Sequence, residues 1–200
     1  MTIRIACIVE GRGELEAVPV LLRRMTEAIN NQVQLIVPLP IRIDRSKVHR
    51  NGEIEKAVHL AAAKVGAGGG LLLILDADDD CPATLGPALL HRAQAARSDF
   101  PIASVIASRE FESWFIAAVD SLRTKFREPV DAIDLDVERM RGAKEWLSRR
   151  LKNGSYSPTV DQASLAALFD LELARKRSQS FDKLWRELER LLSILGNSNG

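Results

Sequence analysis

Residues Leu71 to Asp80, LLLILDADDD, admit few folds. Gly68, Gly69 and Gly70 break whatever element precedes them, and the five aliphatic residues Leu71 to Leu75 are too few to span a bilayer. A short apolar run after a glycine break reads as a strand buried on both faces. At Asp76 the run changes into four carboxylates within five positions. Asp76 and Asp78 cannot sit buried and charged without a partner, because desolvating an unpaired carboxylate is too costly. Clustered oxygens at a strand end suit a hard divalent cation such as magnesium. The alternative is a solvated Asp-rich turn that caps the next helix.

The rest of the chain supplies a frame for that strand. Thr2 to Val9 is rich in β-branched and aliphatic residues and reads as a first strand, ending in the glycine-bearing turn Glu10-Gly11-Arg12-Gly13-Glu14. Such a turn can bring backbone amides close to a ligand. Leu15, Val18, Leu22, Met25 and Ile29 recur at helical spacing, so a helix is expected from Glu14 to about Asn31, with Pro19 either in its first turn or perturbing it. Val33 to Ile43 is a second extended segment, and its Pro38 and Pro40 suit a sheet edge. Glu53 to Val65 and about Ala83 to Arg97 read as helices, and Pro101 to Ser108 as a fourth strand. Strand and helix thus alternate, which is the pattern of a parallel α/β sheet. Right-handed crossovers place every strand's C-terminal end on one edge. Glu10, Asp76 with Asp78, and Glu110 with Glu112 should therefore meet where open α/β sheets bind ligands. Glu112 reaches that edge only if it points forward from the buried side, so the two glutamates need not both arrive.

Arg42 to Arg50 is the most basic patch of the first half, with Arg45, Lys47 and Arg50 in an expected loop. It reads either as a phosphate-contacting loop or as a solvated one. After Arg109 the chain is mainly helical. Expected helices cover Glu110 to Arg123, Asp136 to Lys152, Asp161 to Arg177 and Phe181 to Leu195, the last capped by Ser180 and the second preceded by a loop at Thr124 to Leu135. Phe111, Trp114 and Phe115 form an apolar stripe that belongs to the core rather than to a base-stacking platform. The chain is read as an α/β core over residues 1–123, a helical extension over 124–195 and a disordered tail over 196–200.

Composition excludes little beyond this. With 46% hydrophobic and 28% charged residues the sequence is ordinary for a soluble domain, and a net charge of +1 gives no global case for nucleic acid. Two cysteines, Cys7 and Cys81, make no disulfide framework and suit a reducing cytoplasm, and neither a signal peptide nor a membrane span is expected. His49, His59 and His91 are isolated, so zinc and His-assisted nucleophile chemistries are weak readings.

Glu10-Gly11 after a first strand, with Asp76-x-Asp78 at the end of a later one, resembles the TOPRIM pattern of topoisomerases, DnaG-type primases, RecR-type recombination proteins and overcoming-lysogenization-defect nucleases. A closer similarity is to the bacterial domain-of-unknown-function family 4276. It is carried by Val9-Glu10-Gly11 with Glu14 and VPVLLRR, by Asp76-x-Asp78, by Arg109-Glu110-Phe111-Glu112-Ser113-Trp114 and by Ser178-Gln179-Ser180-Phe181. The resemblance implies a TOPRIM-like (Rossmann-like) parallel four-stranded sheet of order 2-1-3-4, with helices on both faces and a helical C-terminal extension. It also implies phosphodiester chemistry dependent on Mg2+ or Mn2+, as in a nuclease acting on DNA or RNA. Glu10 would be a general acid/base or metal ligand, Asp76 and Asp78 metal ligands, and Glu14 with Glu110 or Glu112 a second metal site. Lys144 is the basic residue expected to meet a scissile phosphate, and Arg12, Arg45, Lys47 and Arg50 are expected to contact nucleic acid. The family resemblance adds an AAA-type ATPase partner in a defence-like system; whether the chain forms a homo-oligomer stays open.

Two rivals remain at this stage. Asp78, Pro82 and Gly86 mimic part of the turn of a phospho-receiver module, but a receiver wants an acidic pair where this chain offers Glu10 alone. A non-catalytic subunit that keeps the fold for binding is the other.

Overall fold

The first strand, β1 (Thr2–Val9), shows why the sheet is a wall between two cores: its inward residues alternate between them. Ile3, Ile5, Cys7 and Val9 enter one hydrophobic cluster, while Ala6 and Ile8 enter the other. The computed structural model describes residues 1–128, 130 and 136–197. After β1 follow α1 (Glu14–Ile29), β2 (Gln34–Ile36), β3 (Ile41–Arg42), the single turn α2 (Arg45–Val48) and α3 (Glu53–Val65). Then come β4 (Gly70–Asp76), α4 (Pro82–Ala96), β5 (Ile102–Ala107), α5 (Ser113–Ala117) and a 3-10 segment, Val119–Lys125. The chain continues through α6 (Ala143–Arg150), α7 (Pro158–Ala166), α8 (Leu171–Arg177) and α9 (Gln179–Asn197).

All pairings are parallel, and the strands run in the order β2-β1-β4-β5, with β3 also paired to β1. This is an α/β fold with helices on both faces, but the sheet has five strands where four were expected. The second extended segment is two short strands, because Pro38 and Pro40 cannot donate to a ladder and interrupt it between Ile36 and Ile41. β4 is buried at every position, as a central parallel strand should be. Helices α3 and α4 cover one face through Val58, Ala61, Leu85 and Leu89. Helices α1 and α9 cover the other, where the aromatic stripe joins the C-terminal helices: Trp114 stacks on Phe181 at 5.5 Å and Phe115 on Phe169 at 5.4 Å. Each such pair adds about 0.5–1.5 kcal/mol beyond simple burial.

Several helices differ from the expected spans. The basic segment at Arg45 is helical rather than a loop, because the Asp44 carboxylate accepts from the Ser46 amide and starts a turn. The stretch Glu110 to Arg123 divides into α5 and the 3-10 segment. The helix expected from Asp136 begins only at Ala143, after Gly142 takes a left-handed φ of 70°. The stretch Asp161 to Arg177 divides at Asp170, whose carboxylate caps α8 by accepting from the Leu173 amide. Ser178, not Ser180, caps α9: its hydroxyl accepts from the Phe181 amide at 3.2 Å. α9 runs on to Asn197, beyond the expected Leu195. The remainder of the expected tail, 198–200, and residues 131–135 of the expected loop lie outside the described residues. Among the described residues no helix is long and apolar enough to cross a membrane.

Candidate functional site

Strand direction delivers the acidic residues to one edge. Glu10 follows β1 and Asp76 ends β4, while Glu110 and Glu112 follow β5 and precede α5. Because residues 110–112 form a turn rather than a helix, helical spacing does not separate the two glutamates, and both reach the same point. That point is the ammonium of Lys144, in the first turn of α6. It lies 3.2 Å from Glu110 Oε2, 3.6 Å from Glu112 Oε2 and 4.0 Å from Asp76 Oδ2. The Ala143 amide donates to Glu110 Oε1 at 3.0 Å, which fixes the start of α6 over the sheet edge.

Glu14 completes the cluster. It is 3% exposed, and its Oε2 accepts from the Glu10 amide at 3.1 Å. A Cβ at Gly11 would lie 2.6 Å from the Glu14 carboxylate, so this glycine makes room for a side chain of its own chain rather than for a ligand. Gly13 has a similar origin: its Cβ would lie 2.2 Å from Gln162 Oε1 and 2.4 Å from the Pro158 carbonyl. α7 is thereby seated directly against the turn, and Arg24 holds its far end by donating to the carbonyls of Ala166 and Phe169. Glu10, Glu14, Asp76, Glu112, Lys144 and Gln162 line a cleft of about 320 Å³, with Arg12, Arg42 and Arg45 also in its wall.

The charges in this cleft do not balance locally. Burial pushes the Glu10 carboxyl up to about 7 against the opposing Arg45 guanidinium, 3.9 Å away. Burial likewise pushes Glu14 up to about 7, with the charges of Glu112 and Glu10 adding to the effect. Asp76 is raised well above the usual carboxylate range, first by burial and then by Glu14 and Glu112, although its Oδ1 accepts from the Phe111 amide at 2.8 Å. Glu112, 1% exposed, is raised by burial in spite of Lys144 and a hydrogen bond from Tyr156. For Lys144, burial favours the neutral amine, but Glu112, Asp76 and Glu110 outweigh it and keep the ammonium charged.

Outside the cleft the acidic turn is arranged differently. Asp78 does not join Asp76: it adopts a left-handed φ of 49° and turns out to meet Arg45 Nε at 3.2 Å. Arg45 also donates to the carbonyls of Asp76 and Ala77 and, at 2.6 Å, to Asp80, so this arginine is the clamp of the turn. Asp79 is held by Arg109 and Arg141, and Asp80 also by His49. Asp78, Asp79, Glu110, Arg109 and Arg141 line an adjoining cleft of about 340 Å³. Arg12 is exposed in the wall of the inner cleft, whereas Lys47 and Arg50 are exposed and do not line it. His59 and His91 are surface residues, and Cys7 is buried core.

Two contributors escaped sequence reasoning. Tyr156 donates its hydroxyl to Glu112 Oε1 at 2.9 Å, and Gln162 donates to the same oxygen at 3.4 Å. Burial and the Glu112 charge keep the Tyr156 phenol protonated and therefore a donor. Neither residue belongs to a local motif.

The donor set is all carboxylate oxygen, which by type fits a hard divalent cation. Glu10 Oε2 and Glu112 Oε2 are buried and accept no hydrogen bond. As arranged, no three His, Cys, Asp or Glu side chains among the described residues form a ready-made metal group; Lys144 stands between three of the carboxylates. The comparisons with known proteins extend across this architecture. The profile of a family described as a domain of unknown function, DUF4276, matches residues 9–189, and the chain belongs to that family. No curated protein and no solved structure matches it.

Proposed function

With membership of that family as the premise, we propose that the protein carries out metal-dependent phosphodiester chemistry as a TOPRIM-like nuclease. One observation carries the reading: five carboxylates gather at the C-terminal edge of a parallel sheet, and buried oxygens of Glu10 and Glu112 lack a hydrogen-bond donor. Desolvated carboxylates persist in such numbers where a cation is to be received. Glu10, Glu14 and Asp76 would hold Mg2+ or Mn2+, which when bound supplies Lewis-acid stabilisation of phosphate oxygens.

The chain's own residues have distinct tasks in this proposal. Glu10, which lines the cleft with an oxygen that accepts no hydrogen bond, would serve as general base toward an attacking water or as a ligand of the ion. Lys144 presents a charged ammonium to a non-bridging phosphate oxygen. Tyr156 and Gln162 hold Glu112, and Glu112 with Glu110 holds Lys144. Arg45 keeps the acidic turn in place. Arg12 at the cleft wall, with Lys47 and Arg50 on the exposed surface of α2 and the loop after it, would track the backbone of DNA or RNA. An AAA-type ATPase partner in a defence-like system belongs to the same proposal.

The absence of a ready-made three-ligand group favours a second reading, a binding subunit that does not turn over. Cleavage of supercoiled plasmid, linear DNA and RNA with Mg2+ or Mn2+ separates the two. The nuclease reading expects cutting by the native protein and none by folded Glu10→Ala or Asp76→Ala. Cutting that survives both substitutions would sink it.

A further inference from the structure

Positive charge is distributed unevenly around the inner cleft. On the Glu110 and Glu112 side it is permanent: the Lys144 ammonium lies 3.2 and 3.6 Å from those carboxylates. Its position is built in, because the neighbouring Ala143 amide is tied to Glu110 and the turn before it is set by the left-handed Gly142. On the opposite side, Glu10 and Glu14 face Asp76 with Arg45 as the nearest guanidinium to Glu10, at 3.9 Å. There Glu10 Oε2 accepts no hydrogen bond. A second, independent sign of a missing occupant is the amide oxygen of Gln162. This residue is 2% exposed, lines the cleft and finds no donor for Oε1, which lies against the Gly13 turn on the Glu10 side. Buried acceptors without donors are rare and costly, and a small cation that keeps part of its water shell would bring donors to them.

We infer that the cleft takes a single divalent cation, on the Glu10, Glu14 and Asp76 side, and that Lys144 serves as the chain's own fixed cation on the Glu110 and Glu112 side. The inference rests on the metal-dependent reading above and specifies its stoichiometry. A second divalent ion beside Glu110 and Glu112 would have to displace an ammonium held at 3.2 and 3.6 Å, whereas on the Glu10 side the nearest cationic nitrogens stand 3.9 Å from Glu10 and 4.0 Å from Asp76. Lys144 then has two tasks, neutralising the cluster when no metal is bound and supplying the second positive charge when one is.

The test counts ions. Mn2+ alone is titrated into the full chain by calorimetry, with electron paramagnetic resonance of free Mn2+ as a parallel count and circular dichroism as the check on folding. The expected result is one ion for the native protein, one for Lys144→Arg and two for Lys144→Ala. In the metal-free state Lys144→Ala should also melt lower than the native chain, and Mg2+ should recover more of its melting temperature than it adds to the native protein. Two ions on the native chain would overturn the inference and leave the nuclease reading standing, whatever the variants do. One ion on folded Lys144→Ala would overturn it as well. No ion on either protein would remove the metal-dependent reading and the inference together.

Discussion

The two acidic groups at the end of β4 use the same residue types and obey opposite electrostatics. Asp78, Asp79 and Asp80 lie at the surface, and each has at least one guanidinium partner within 3.2 Å: Arg45, Arg109 or Arg141. Two residues deeper, Asp76 lines the inner cleft with Glu10, Glu14 and Glu112, Glu110 meets this group at Lys144, and one ammonium serves three of the five. The outer group is a compensated turn. The inner group is short of positive charge, and the carboxyls of Glu10, Glu14, Asp76 and Glu112 are raised, first by burial. An Asp-x-Asp pattern therefore does not give both aspartates one environment; the left-handed turn at Asp78 leaves it at the surface on Arg45, while Asp76 stays buried.

The sharpest way to break this contrast is at Asp76. Asp76→Asn should lower phosphodiester cleavage by about 10²-fold or more, the scale on which preorganised charge matters. In the same variant the metal-free melting temperature should hold or rise, because a charge that its neighbours repel has been removed. A parallel loss of stability and activity would place Asp76 with the outer group. Next in size is Arg45→Ala, which frees two backbone carbonyls and three carboxylates at once. Urea unfolding should show a loss of about 2–3 kcal/mol, the range for hydrogen bonds to a charged group in a partly buried network.

Proton linkage gives a smaller effect with a defined sign. The carboxyls of Glu10 and Glu14 rise from an ordinary 4.5 to about 7 on folding, so between those values the folded chain binds more protons than the unfolded one. Stability of the metal-free protein should therefore fall as pH rises through roughly 4.5 to 7, and Mg2+ should offset the fall at pH 8. Calorimetric melting across that range checks it; a rise in stability over the same window would contradict the charge imbalance. The smallest effect belongs to Asp79→Asn. Its carboxylate is 75% exposed, so the change should cost under about 1 kcal/mol and leave cleavage intact.

Much of this was legible in the residues themselves. Gly68 to Gly70 before five aliphatic residues announce a buried strand, and Glu53 to Val65 is a helix at the very bounds its periodicity gives. Parallel topology then brings Glu10 and Asp76 to the edge that receives the segment of Glu110 and Glu112; that both glutamates arrive follows from the turn at residues 110–112, which the expected helix did not contain. What could not be read depended on long-range packing. Asp170 lies inside an apparently continuous helical pattern, and its turn depends on a contact far along the chain, its amide donating to Ser121 Oγ while its carboxylate caps α8. Tyr156 and Gln162 lie 44 and 50 residues from Glu112, and neither carries a charge or a motif to signal its place. Lys144 was legible as a basic residue, but its position follows from the left-handed turn at Gly142, which begins the helix seven residues later than the expected Asp136.

The close approach at Gly13 has a consequence for dissecting the molecule. Any side chain there would drive into Gln162 and the Pro158 carbonyl, so α7 is keyed into the loop that carries Glu10. A fragment cut after α5 would retain every strand and lose the lock: Lys144, Tyr156 and Gln162 would go together, leaving Glu112 without its partners. Minimised or chimeric versions of this protein should therefore carry the chain through α7 as one inseparable cassette.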